Sequence, residues 1–187
     1  PSESDLPFRL PIDRVFIQQG FGSVVTGTGH HGSLKVGSTV QAYPTSEQFR
    51  VRTIHVHHDS KEIALCGQRT ALNLSGGAPQ ALVRGHVLAE PDQIEPCSIL
   101  NAQISLLPEI ELKEGMRIRL LCGSTEILAR IHIFEPNKQN TYAQIRTERP
   151  LLALPQDRFI IRRESPLETL GGGVFIEPWA QKVRKKE

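Results

Sequence analysis

The sequence predicts an all-β protein folded as two β-barrels in tandem. Three observations carry this. Apolar residues recur with period two in short runs rather than at helical spacing. Turn-forming Gly, Pro, Asn and Asp punctuate those runs at roughly the 8–12 residue spacing of barrels and sandwiches. A proline-bearing break, Glu90-Pro91-Asp92 with Glu95-Pro96, divides the 187 residues into halves of a size that suits small domains.

The first half reads as about six strands. Arg9 to Phe16 leads into a turn at Gly20 and Gly22, and Ser23 to Thr28 is β-branched and Gly-punctuated. Leu34-Lys35-Val36 lies between Gly32 and Gly37, and Thr39 to Tyr43 follows. Phe49 to His57 alternates, with Val51, Thr53, His55 and His57 on one face and Arg50, Arg52, Ile54 and Val56 on the other. Thr70 to Leu74 and Arg84 to Ala89 complete the set. The second half offers Ile99 to Leu107, Arg117 to Cys122, Thr125 to Phe134, Thr141 to Leu152 and Arg158 to Arg163, with one helical turn conceivable over Glu109 to Lys113. The expected domains are residues 6–92 and 96–178, followed by a charged tail or linker over 179–187.

Composition narrows the function classes. Hydrophobic residues make up 39%, and no run approaches the ~18 apolar residues of a membrane span. The start, Pro1 to Pro7, has neither the basic head nor the apolar stretch of a secretory signal and lacks an initiator Met, so the chain reads as part of a longer protein. Cys66, Cys97 and Cys122 are far apart and form no CxxC pair, which points to free thiols in a reducing cytoplasm. With a net charge of +2, contact with nucleic acid has to come from local clusters of Arg and Lys.

Several motifs fail on inspection. Gly20-Phe21-Gly22-Ser23-Val24-Val25 begins like a dinucleotide fingerprint but lacks its third glycine and helix, so a hairpin turn is the better reading. Asn137-Lys138-Gln139-Asn140 is similar to the guanine-reading NKxD, with Asn140 where Asp belongs, and no GxxxxGK[ST] loop exists to cradle phosphates. His55 and His57 could chelate from one strand face, with His58 and Asp59 adjacent; the ligand set is incomplete, and a polar strand end is favoured. No residue pattern signals catalysis. Arg117 and Arg119 share one strand face opposite Ile118 and Leu120, and Arg146, Arg149, Arg162 and Arg163 lie in neighbouring runs. They form either a basic strip able to follow a phosphate backbone or an ordinary solvated face.

A family resemblance sharpens this. Phe8 to Phe16, then Gly20 to Thr28, Gly32 to Gly37 and Val83-Arg84-Gly85-His86-Val87-Leu88-Ala89 together resemble the second domain of the elongation factor Tu-like GTPases. Arg119 to Arg130, Ala143 to Arg146, Arg149-Pro150-Leu151, Leu154 to Arg162, Ser165-Pro166 and Gly171-Gly172-Gly173-Val174 resemble the third domain of the selenocysteine-specific elongation factors. Cys122 departs from the His of many relatives. The resemblance spans about residues 6–178 and implies two translation-factor barrels. It implies that a GTPase domain holding GTP and Mg belongs before Pro1 and domains gripping a structured mRNA element after Glu187. This stretch itself would have no cofactor and no enzymatic activity. The implied partners are selenocysteinyl-tRNA, the ribosome and the GTPase domain, in the cytoplasm, with no membrane. The resemblance further assigns Asp13, Arg14 and Arg69 to the aminoacyl pocket and Val24 and Leu74 to the terminal adenosine. It adds the tRNA backbone as the ligand of Arg117, Arg119, Arg146, Arg162 and Arg163. A selenol is ionised at neutral pH whereas a serine hydroxyl is not, so Arg14 and Arg69 suit a selenolate, and Asp13 suits orienting an Arg or receiving the α-ammonium. The alternatives are the barrel region of a metabolic GTPase, such as the GTPase subunit of sulfate adenylyltransferase, and a docking module without a ligand, because one fold serves many functions.

Overall fold

A computed structural model describes residues 6–18, 22–135 and 140–183. Gly20 and Phe21 of the expected turn, Asn137 to Gln139 of the NKxD-like run and residues 184–187 of the tail lie outside the described residues. The chain divides into two compact units, Pro1–Glu95 and Pro96–Glu187. Among the described residues both are built of strands, with one short 3-10 turn at Pro79–Ala81.

The first unit contains β1 (Arg9–Gln18), β2 (Gly22–Thr28), β3 (Ser33–Lys35), β4 (Thr39–Tyr43), β5 (Glu47–Val56), β6 (Asp59–Lys61), β7 (Ile63–Leu65), β8 (Arg69–Ser75) and β9 (Val87–Ala89). The order β4-β9-β1-β2-β8-β5 closes into a six-stranded ring because β4 also pairs with β5, while β6 extends β5 and β3 pairs with β7. The alternation read from the sequence now has a spatial meaning. Val25 on β2 and Leu72 and Leu74 on β8 point inward and join Leu10, Ile12, Phe49, Ile54 and Leu88 in one buried core. Each such side chain stabilises the barrel by roughly 1.5–3 kcal/mol through burial.

The second unit contains β10 (Cys97–Leu106), β11 (Arg117–Cys122), β12 (Thr125–Glu135), β13 (Thr141–Leu151), β14 (Arg158–Arg163) and β15 (Glu168–Pro178), closed in the order β10-β13-β12-β11-β14-β15. Leu100, Ile104, Ile118, Leu120, Ile131, Ile145, Phe159, Ile161 and Phe175 fill it. Closure leaves no unpaired edge in either ring, which is how an all-β chain of this size avoids edge-to-edge association.

Three local expectations change. Between Val51 and Thr53 the β5–β8 register shifts, so Val51 faces the core together with Ile54 and Val56 while Thr53 and His55 face out. A bulge, invisible to period counting, re-aims everything after it. Over Glu109 to Lys113 no helical turn forms; Glu109 adopts φ 65° in a reverse turn. The strand expected from Arg84 shrinks to Val87–Ala89, because Gly85 (φ 92°) turns the chain and its N–H donates to the Ile12 carbonyl.

Candidate functional site

Asp13 sits where β1 and β2 slip register: Ile12 faces Gly27 and Arg14 faces Thr26, leaving Asp13 as the extra residue. The bulge lets a carboxylate stand beside side chains of β2 and β8. Thr26 Oγ1 donates to Asp13 Oδ1 at 2.6 Å, and Arg69 Nη1 makes a short charge-assisted bond to Asp13 Oδ2. Partial burial alone would raise the Asp13 pKa; hydrogen bonds from Arg69 and Thr26 and the charges of Arg69 and Arg14 outweigh it and hold the carboxyl below its ordinary value. Asp13 in turn raises the Arg69 pKa. The cluster is therefore a fixed carboxylate flanked by two guanidiniums, with Arg14 exposed.

Beside it opens a cleft of about 370 Å³ lined by Thr26, His55, His57, His58, Arg69, Thr70 and Ala71. β8 is the shared wall: Ala71 lies opposite both Thr26 on β2 and His55 on β5. His57 and His58 form the two-residue turn between β5 and β6, both with positive φ (51° and 73°), flanked by the pair Val56 and Asp59. That is the conformation of a type I′ hairpin, normally filled by Asn-Gly, so two imidazoles are held at the rim at some backbone cost. Among the described residues no group of three or more His, Cys, Asp and Glu is arranged to hold a metal.

The two residues expected at an adenosine pocket part company. Val24 is half-buried on the outer face, opposite Phe16 and Asn73. Leu74 is 1% exposed inside the barrel core, so it cannot line a surface pocket. It sits one residue on from Asn73, and the period of two turns it inward.

On the second barrel, register places arginines in two rows. Arg130 on β12 lies directly opposite both Arg117 on β11 and Arg146 on β13, and Arg119 lies opposite Arg162 on β14. Arg130 was missed in the sequence, because only strand pairing reveals that it links Arg117 to Arg146. Arg163 leaves the expected set: it pairs with Ile118, which is fully buried, so it stands on the other side of the strand from Arg162 and bonds Glu168 at 3.3 Å. Acids temper two of the others. Arg117 bonds Glu148 (2.9 Å) and Glu164 (3.5 Å), and Arg119 bonds Glu126. Arg149 reaches the Glu126 carbonyl and Arg130 that of Gly115, both at 3.2 Å. Among the described residues Arg130 and Arg162 have no acidic partner.

Two closed six-stranded antiparallel barrels in tandem, with basic residues on the outer strand faces, define the barrel domains of a translational GTPase, a region that lacks the catalytic G domain. Residues 100–182 match the family described as selenocysteine-specific elongation factor, beta-barrel domain. The chain belongs to the selenocysteine-specific elongation factor family, within the elongation factor Tu-like GTPases, as its second- and third-domain region. It is 39% identical to the selenocysteine-specific elongation factor of Desulfomicrobium baculatum over 97% of the chain and 31% identical to that of Escherichia coli over 96%. It spans 30% and 29% of the length of those two relatives. A crystal structure of a bacterial selenocysteine-specific elongation factor superposes with TM-score 0.83 at 25% identity, covering 100% of this chain and 30% of that one. The apo elongation factor of Methanococcus maripaludis shares the fold, with TM-score 0.79 at 24% identity over 94% of this chain and 43% of its own.

Proposed function

We propose that this chain is the part of the factor that binds selenocysteinyl-tRNA for delivery to the ribosome. Residues 6–92 would take the aminoacyl end and residues 96–178 the tRNA stem, with 179–187 as a linker. The observation that carries the reading is the Asp13–Arg69 pair beside exposed Arg14, at the wall of an open cleft on the first barrel. Asp13 fixes one guanidinium in direction, which lowers the ordering cost of using it. A selenolate then gains charge-assisted bonds that a serine hydroxyl does not. Val24 lies on the same outer face as Thr26 and suits an apolar contact with the terminal nucleoside. The arginine rows of the second barrel suit a phosphate backbone, with Arg130, Arg146 and Arg162 each without an acidic partner among the described residues.

In the full-length protein, GTP and Mg would be held by a G domain, and a structured mRNA element by further domains, in the cytoplasm. Among the described residues no helix is long and apolar enough to cross a membrane.

The test is Arg69→Ala and Arg14→Ala in the full-length factor, titrated with both selenocysteinyl- and seryl-tRNA. One charge-assisted bond contributes about 1.5–3 kcal/mol, so each loss should weaken selenocysteinyl-tRNA about ten- to a hundredfold. Seryl-tRNA should change far less. Equal losses, or none, would mean that these arginines do not read the selenolate.

A further inference from the structure

The chain does not simply leave the second barrel after β15. Trp179 takes φ 62°, a left-handed conformation rare for an aromatic residue, and turns the backbone over the barrel's outer face. The Ala180 N–H donates to the Ile99 carbonyl on β10 at 3.1 Å. The segment then crosses to β13, where Gln144 receives it. Gln144 is 0% exposed, and its amide is used at four points. Nε2 donates to Asn101 Oδ1 (3.1 Å) and to the Gln181 carbonyl (2.9 Å), while Oε1 accepts from Arg146 Nε (2.9 Å) and the Val183 N–H (3.3 Å). A buried amide with all its capacity met is a built contact, since an unmet one would be costly. Asn101 is itself braced by Glu177 Oε2 at 2.6 Å.

Arg146 closes the clip: its Nη2 donates to the Val183 carbonyl at 2.7 Å. Nε and Nη2 form the side edge of the guanidinium. With that edge held, the end edge keeps two parallel N–H donors, the pair that matches a phosphate. Arg146 lies directly opposite Arg130 in the arginine row.

We infer that Gln181–Val183 is a strap that positions Arg146, so that strap docking and RNA phosphate binding at the Arg130–Arg146 row reinforce each other. The inference rests on the reading that this face meets tRNA. Gln144 and Val183 are positioning residues, acting through Arg146. By reciprocity, whatever the strap adds to phosphate affinity, bound phosphate returns as protection of the strap.

The experiment uses the full-length protein and a short RNA duplex, with affinity measured across a salt series and amide hydrogen exchange read at residues 180–183. Duplex binding should slow exchange at Val183 about fivefold or more. Gln144→Leu removes no charge, yet it should lower the salt slope by about one, as Arg146→Ala does, and the double variant should lose no more than either alone. Because Gln144 is buried, Val183→Pro provides a lesion outside the barrel: it deletes the strap N–H and should give the same loss of slope. Binding with unchanged Val183 protection, or unchanged slopes in both Gln144→Leu and Val183→Pro, would overturn the positioning role and leave the RNA reading standing. No duplex binding at all would overturn both.

Discussion

Gly173 is a position where a single methyl group should strongly destabilise a barrel. It lies on β15 opposite Ile104 of β10 and Phe159 of β14, in the stretch that closes the ring. A Cβ built there would lie 2.8 Å from Phe159 Cζ, and nearer still to the Gln103 carbonyl oxygen. Neither neighbour can retreat cheaply. The carbonyl belongs to the β10 backbone, and the Phe159 ring is backed by Phe175, with centroids 4.6 Å apart at 27°. Overpacking against fixed groups costs up to about 3 kcal/mol, and Gly173→Ala belongs at or above that limit. For a unit of this size that is a fall in Tm of roughly 12–24 °C. Gly115 provides the contrast: φ is 74° and a Cβ would meet nothing within 4 Å, so Gly115→Ala carries only the left-handed backbone penalty of about 1–2 kcal/mol. The single tryptophan, Trp179, follows β15 directly, so its fluorescence during urea denaturation reports on the second barrel. A Gly173→Ala midpoint within about 1 kcal/mol of wild type, or a larger loss from Gly115→Ala, would refute the steric reasoning.

Further outcomes follow from other positions. The Asp13 carboxyl has a depressed pKa, so its contribution is complete above the ordinary carboxylate value and fades as pH falls through the lowered one. Asp13→Asn should flatten the acid limb of the stability profile below about pH 4 by no more than about 1 kcal/mol, because the pair is solvent-exposed. Leu74→Ala should destabilise the first barrel by about 2–5 kcal/mol in thermal melts, as a core truncation, whereas Val24→Ala should cost far less. Arg130→Ala should lower the salt slope of tRNA binding by about one, an effect absent if the row is only a solvated face. Calorimetry of this chain with GTP or GDP should show no binding, since the sequence holds no phosphate loop.

The strands were legible because inward positions repeat every second residue: Thr70 to Leu74 read as a strand, and on β11 the alternation set Ile118 and Leu120 on the face opposite Arg117 and Arg119. What alternation cannot carry is an insertion in the ladder. The bulge at Asp13 builds the site, and the one at β5 moves Val51 to the core; neither leaves a compositional mark. The resemblance assigns Asp13, Arg14 and Arg69 to one pocket, and only the fold shows that 56 residues of separation bring Arg69 onto Asp13. Leu74 illustrates the opposite failure, because matching a position to a role says nothing about which way the side chain turns. Arg130 and Gln144 needed cross-strand register, which the sequence does not contain.

The strand order of each ring bears on how the chain is made. In the first barrel β1 and β4 never touch as ring neighbours; β9, the last strand to be synthesised, fits between them. In the second, β15 does the same for β10 and β14. A nascent chain halted before Val87, or before Glu168, therefore holds an open sheet with two bare edges. Such edges are templates for pairing with other chains, and contacts this distant in sequence form slowly. Each ring thus becomes safe from misassembly only when its final strand emerges, and the three glycines of β15 let the second closing strand lie against β10 and β14 where a Cβ would not fit.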